Sequence, residues 1–207
     1  GGADEIVVLD GHGNQAMIPH MMVPGATYIT GRPRPATAAN LSLLDETFDG
    51  MVMLGFHAMN GTEDGGLHHT QSSKTERKYW YNGVEYGELG QNAAIAGHFG
   101  VPFIMVTGDV ATCREATKFF GPNCVTVAVK RGISREAAEL YPFDETRQDL
   151  YKGARRAVEA IPKCKPYKLS LPIKAKKEYL VFDSPSGPGR RVSKEVTIED
   201  VLKLMSF

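Results

Sequence analysis

Four short apolar runs constrain this 207-residue chain more than any other feature. They are Glu5-Ile6-Val7-Val8-Leu9, Met51-Val52-Met53-Leu54-Gly55-Phe56, Pro102-Phe103-Ile104-Met105-Val106-Thr107 and Cys124-Val125-Thr126-Val127-Ala128-Val129. Their apolar residues are consecutive rather than alternating, which suits strands covered on both faces. The first run ends in Asp10-Gly11-His12-Gly13, the second delivers His57, and the third delivers Gly108-Asp109. Helical stretches lie between them. Leu89 to Phe99 is alanine-rich and closes at Gly100, Ala111 to Phe120 closes at Gly121-Pro122, and a longer helix opens at Asp144 or Thr146 and runs to about Ile161. Strands alternating with helices predict an α/β fold with a mixed, largely parallel sheet flanked by helices.

Tyr79 to Tyr86 reads as a β-hairpin, because Asn82-Gly83 supplies the two positive-φ residues of a type I′ turn. Ser134 is placed to cap a helix over Arg135–Leu140. Residues 162–177, dense in Lys and Pro, read as a linker. After it come a strand Tyr179–Phe182, a Ser/Gly/Pro turn at 184–189, and a helix capped by Thr197 with Asp200 three residues on. The expected organisation is an α/β core over residues 1–161, with the linker and a small C-terminal α/β portion over 162–207 packed on it.

Acidic and basic residues balance at 24 each, so the chain as a whole has no electrostatic reason to seek nucleic acid or an anionic membrane. The balance is uneven along its length. Residues 1–150 carry 11 Lys and Arg against 18 Asp and Glu (net −7), and residues 151–207 carry 13 against 6 (net +7). Halves of opposite sign attract each other, within or between subunits. No apolar run approaches the roughly 18–20 residues that span a bilayer. The start, Gly1-Gly2-Ala3-Asp4-Glu5, is not a signal peptide. Three cysteines with no CxxC pair point to a reduced, cytoplasmic setting rather than a disulfide framework.

All six histidines fall in the first 98 residues. His12 and His57 each follow an apolar run, and in open α/β sheets ligands bind beyond the carboxyl ends of strands. Two neutral imidazoles delivered there suit a transition metal. A histidine after a strand also serves simply to bond loop backbone, and both readings stand at this point. Glu88, in Gly87-Glu88-Leu89-Gly90, complements the dipole of the following helix or presents a rigid carboxylate to a metal. His68-His69 lies in a Gly- and Thr-rich loop, either as a solvated pair or as a mobile source of general acid/base chemistry. Asp109 is placed to cap the next helix, while His20 and His98 read as structural. GxSxG, HExxH, GxxxxGK[ST] and GxGxxG are absent, which removes most of the weight from serine hydrolase, zincin and nucleotide-binding readings.

Several motifs occur together in order: Asp10-Gly11-His12-Gly13, Leu54-Gly55-Phe56-His57-Ala58-Met59, Leu67-His68-His69-Thr70, Asn82 through Ala93 with its Gly87-Glu88-Leu89-Gly90 element, Gly100-Val101-Pro102, Thr107-Gly108-Asp109 and Val129 through Arg135. This set resembles the zinc-dependent D-aminopeptidase family. The resemblance implies a dinuclear zinc aminopeptidase that releases D-amino acids from short peptides and assembles as a ring-based homodecamer. It implies that His12, His57 and Glu88 are metal ligands and that His69 is the catalytic histidine. Manganese or cobalt would fit similar ligands. The family's opening Ser-x-Asp-x-Glu-Gly strand, whose Asp bridges the zincs, has no counterpart, so the chain reads as starting inside the family pattern. Its own ligands then suffice for one weakly held metal, since a dinuclear centre needs about five protein ligands. Two rival readings remain, a non-catalytic ring-forming relative that binds peptides and a metal-dependent amidohydrolase acting on a non-peptide amide.

Overall fold

The computed structural model describes residues 1–12, 17–34, 41, 43–184 and 187–207. In chain order the strands are β1 (Val7–Leu9), β2 (Thr27–Ile29), β3 (Met51–Met53), β4 (Lys78–Tyr81), β5 (Val84–Tyr86), β6 (Phe103–Asp109), β7 (Val125–Ser134), β8 (Ala137–Leu140), β9 (Ile173–Phe182) and β10 (Gly189–Ile198). The helices are α1 (Glu88–His98), α2 (Val110–Phe120) and α3 (Phe143–Ala160).

The fold is α/β, and its described strands form three sheets. The central sheet has the order β3-β6-β7-β8, with β3, β6 and β7 parallel and β8 antiparallel at the edge. All seven residues of β6 are buried, as a strand covered on both faces requires. Ile104, Met105 and Val127 pack against Ala157 of α3 in one cluster. Phe103 and Val106 pack with Leu89, Ala93 and Ala96 of α1 and Ala116 of α2 in another. An antiparallel sheet of order β10-β9-β4-β5 forms the second layer. Its Tyr79, Tyr81, Tyr86, Ile173 and Ala175 close over Ala94 of α1 and over Val201 and Leu204. Helix α1 therefore lies between two apolar clusters, and every residue from Leu89 to Gly97 is buried. The Asn82-Gly83 turn is as expected, with φ of 50° and 83°.

Five local expectations are corrected. The first apolar run is a half-buried strand paired in parallel with β2, in its own two-stranded sheet, and not a member of the central sheet. The flanking hydrogen bonds go the same way, from Thr27 N–H to Ile6 O and from Asp10 N–H to Ile29 O. Residues 137–140 are a strand rather than part of a helix. All four are exposed, with no buried face to hold a helix, and their backbone pairs with β7. The linker ends at Ile173, where Ile173 and Ala175 turn inward while Lys174 points out. This period-two pattern is obscured by the density of lysines. Thr197 belongs to β10, and only one 3-10 turn, Val201–Lys203, follows, capped by Asp200, which accepts from Leu202 N–H. Helix α3 begins at Phe143 without a side-chain cap, and Thr146 Oγ1 donates back to Phe143 O instead of opening the helix. Gly13 and part of the 184–189 turn lie outside the described residues.

Candidate metal centre

The central sheet carries the chain to His57. Beyond β3, Gly55 N–H donates to Thr107 Oγ1 at 2.8 Å and Phe56 N–H donates to Thr107 O at 2.7 Å, so β6 guides the backbone up to the histidine. The His57 ring stacks on Phe56 with centroids 4.9 Å apart, and its Nδ1 lies 3.1 Å from Ala58 O. A protonated Nδ1 satisfies that carbonyl and leaves the Nε2 lone pair free, the arrangement a metal-ligating histidine adopts. Burial pushes the imidazole below the usual histidine range. His69 and His12 push the same way, while Glu88 and the Ala58 carbonyl oppose.

Glu88 is the first residue of α1, and its position follows from close packing around Gly87. A Cβ at Gly87 would lie 2.6 Å from Met59 Cβ and 2.7 Å from Glu115 Oε1, so only glycine allows this helix start against those neighbours. Glu88 Oε1 accepts from Gln71 N–H at 2.6 Å. The same oxygen lies 3.7 Å from His57 Nε2 and 3.7 Å from His69 Nε2.

His69 comes from the 58–71 loop, which is braced at many points rather than loose as its glycines suggest. Met59 N–H donates to Glu115 Oε2 (2.8 Å), Asn60 N–H to Thr70 Oγ1 (3.1 Å), Gly66 N–H to Asp109 Oδ2 (2.6 Å), Leu67 N–H to Arg135 O (2.6 Å) and His69 N–H to Ala58 O (3.3 Å). The bracing brings Asp64 O so near that a Cβ at Gly132 would sit 2.2 Å from it. His69 Nδ1 lies 2.7 Å from Leu67 O, and its ring stacks on His57 at 3.9 Å. His68 turns away, its Nδ1 accepting from Gly61 N–H at 3.0 Å.

Among the described residues, His57, His69 and Glu88 form the group whose ligand atoms all lie within 4.8 Å of one another. Ligands bound at 2.0–2.1 Å around a tetrahedral zinc lie about 3.3 Å apart, so a nitrogen-to-oxygen spacing of 3.7 Å needs only small adjustment to hold an ion. His12 is exposed and outside this group, although it is near enough to bear on His57 electrostatically. His12 and His57 do not occupy matched positions, because they follow strands of different sheets. Asp10 is buried and accepts from His12 N–H at 2.9 Å, which fixes the backbone of that turn. Asp109 caps α2 as expected, accepting from Thr112 N–H and Oγ1. His20 lies exposed in a 3-10 turn and His98 ends α1. Burial pushes the Cys113 thiol up to about 11 and the Cys124 thiol up to about 12, so neither is an activated nucleophile.

Sequence reading missed two side chains that support the trio. Gln71, without a motif of its own, donates to Glu88. Glu115 was hidden within the pattern of α2. Asp109 was legible only as a cap, and its hold on Gly66 was missed.

An α/β sheet presenting two imidazoles and a carboxylate defines a candidate metal-binding protein. The chain belongs to the D-aminopeptidase family, whose family model matches residues 1–181. A D-aminopeptidase of Bacillus subtilis (strain 168) is 34% identical over 167 residues, which covers 80% of this chain and 59% of that protein. The chain thus spans about three fifths of the length of that relative. A solved structure, the Zn-dependent D-aminopeptidase DppA from Bacillus subtilis, described as a self-compartmentalizing protease, matches with a TM-score of 0.83 at 27% identity, covering 97% of this chain and 75% of that one.

Glu115 gives the site's surroundings a pH signature. It is 7% exposed, its Oε1 has no hydrogen-bond partner among the described residues, and burial pushes its carboxyl up to about 7 against the hydrogen bond from Met59 N–H and the charge of Lys118. A carboxyl raised above its ordinary value of 4.5 favours the fold fully below that value, and this contribution is lost as pH rises through about 7. Glu115→Gln keeps an acceptor for Met59 and removes the charge. Between about pH 5 and pH 8 the natural chain should lose on the order of 2–3 kcal/mol relative to the variant, read by urea unfolding. Parallel pH profiles for the two proteins would contradict this burial effect.

Proposed function

We propose that this chain carries the metal-binding core of a zinc-dependent aminopeptidase that removes N-terminal D-amino acids from short peptides. Convergence of His57, His69 and Glu88 within 4.8 Å, in a chain of the D-aminopeptidase family, is the observation that carries this reading. His57 and Glu88 are the ligands, and His12 joins them from the neighbouring turn. Zinc held by these residues would supply Lewis-acid chemistry for activating a scissile carbonyl and a water nucleophile. The centre is dinuclear in the working enzyme, and manganese or cobalt can substitute.

The side chains divide the remaining work. Burial disfavours the charged form of His57, and Nδ1 lies on Ala58 O, which leaves Nε2 to offer a lone pair. Glu88 supplies the anionic ligand, its direction set by the amide of Gln71. His69 is held by Leu67 O at Nδ1, which leaves Nε2 to move a proton beside the reacting carbonyl. The stack on His57 keeps that nitrogen within 3.7 Å of Glu88 Oε1.

Three free cysteines support a cytoplasmic setting, and no helix among the described residues is long and apolar enough to cross a membrane. Assembly into a homo-oligomeric ring, a decamer by family resemblance, accords with the name of the solved relative as self-compartmentalizing and with the opposite charges of the two parts of the chain.

Metal analysis together with release of D-alanine from D-Ala-D-Ala tests the function. His57→Ala and Glu88→Ala should lose bound zinc, whereas His69→Ala should keep it and lose roughly 10²-fold or more in turnover. His68→Ala should change little. Zinc binding without hydrolysis by the full-length gene product would favour the non-catalytic relative, and equal small effects at His68 and His69 would remove the proton-transfer role. For the assembly, light scattering should report a particle of many chains, and a monomer of the full-length product at micromolar concentration would contradict it.

A further inference from the structure

Gln71 lies outside every motif that points to the metal centre, yet its backbone is tightly constrained beside it. Its φ is 60°, in the left-handed region that non-glycine residues seldom occupy and keep only where their surroundings enforce it. The turn aims the Gln71 amide at Glu88 Oε1, 2.6 Å away. The side chain is held at both polar atoms. Tyr79 Oη donates to Gln71 Oε1 at 2.7 Å, and Gln71 Nε2 donates to Gln91 Oε1 at 3.1 Å. The chain of bonds continues inward, from Gln91 Nε2 to Tyr81 Oη at 2.8 Å and from Tyr81 Oη to Leu204 O at 3.0 Å. Tyr79, Tyr81 and Gln91 are all fully buried, so their polar atoms must find partners within the protein.

We propose that Gln71 is the positioning residue of Glu88: Tyr79 and Gln91 grip its side chain and so hold its amide in the left-handed turn that fixes the Glu88 carboxylate. The inference rests on the reading of Glu88 as a metal ligand and deepens it. Glu88 Oε1 is the oxygen nearest both histidine Nε2 atoms, so a donor fixing that oxygen fixes the side of the carboxylate turned to the ion. Hydrogen-bond partners of metal ligands commonly change affinity by about 10- to 100-fold when removed. The bonds to Tyr81 and Leu204 tie this small adjustment to the second sheet and to the C-terminal turn, so the antiparallel layer contributes to the site without touching it.

The test uses the full chain with Tyr79→Phe, which removes one hydroxyl from a buried ring and keeps its packing, and with Gln71→Ala. Zinc affinity is measured by chelator competition, ligand geometry by the visible spectrum of the cobalt-substituted protein, and the Gln71 amide by hydrogen exchange in the metal-free chain. Expected are a zinc affinity lowered about 10- to 100-fold in Gln71→Ala and several-fold in Tyr79→Phe, with altered cobalt bands in both. Exchange at the Gln71 amide should accelerate in Tyr79→Phe while the amides of β6 keep their protection. Natural affinity and an unchanged cobalt spectrum in both variants would overturn the proposal. Should the natural chain bind neither metal, the metal reading of Glu88 falls and exchange alone judges the grip: faster exchange in Tyr79→Phe supports it, and unchanged exchange overturns it.

Discussion

A helix with no solvent face needs a packed layer on each side, and α1 obtains them from two different sheets. This burial is the constraint on which the site depends. A helix enclosed in this way cannot roll or slide without breaking two apolar clusters at once. Its first residue therefore has a fixed place, and that residue is Glu88. The tight fit of Gly87 against Met59 and Glu115 extends the constraint to the turn before the helix. Rigid elements then present the carboxylate and His57 from two directions, while a loop presents His69.

That loop owes its order to buried carboxylates of the central sheet and α2. Asp109 caps α2 with one oxygen and holds Gly66 with the other. Glu115 holds Met59 from one turn and a half further along the same helix. The exposed Arg114–Asp64 pair adds a third tie, with bonds of 2.9 and 2.6 Å, and contributes little beyond geometry because water screens it. Leu67 and Gln71 both have positive φ, Leu67 beside the Gly66–Asp109 bond and Gln71 where Glu88, Tyr79 and Gln91 bond it. Strain of this kind clusters where side chains must be aimed, and here it flanks His68 and His69.

Much of this was legible in the sequence, for reasons that differ by element. Strands β6 and β7 could be read because parallel strands buried on both faces need unbroken apolar runs. The β4–β5 hairpin could be read because its Asn82-Gly83 turn demands positive φ at both residues. Strand β8 could not, since its exposed Ala137–Leu140 carries no hydrophobic period and is held to β7 by backbone pairing and the exposed Arg131–Glu139 pair. Lysines on the outer face of β9 imitated a linker for the same reason. His57 and Glu88 were visible near predicted strand and helix ends, and His69 as one of a histidine pair in a Gly- and Thr-rich loop. Their convergence depends on tertiary packing, and so do the roles of Gln71 and Glu115, which lie many residues from the groups they hold.

The proposed metal centre is His57 and Glu88, with His69 beside them. Anomalous X-ray diffraction at the zinc edge, from crystals of the full chain grown with zinc, tests it most directly. A peak about 2.0–2.2 Å from His57 Nε2 and a Glu88 oxygen is the predicted result. Zinc bound elsewhere, with density between these three side chains empty at saturating metal, would contradict it.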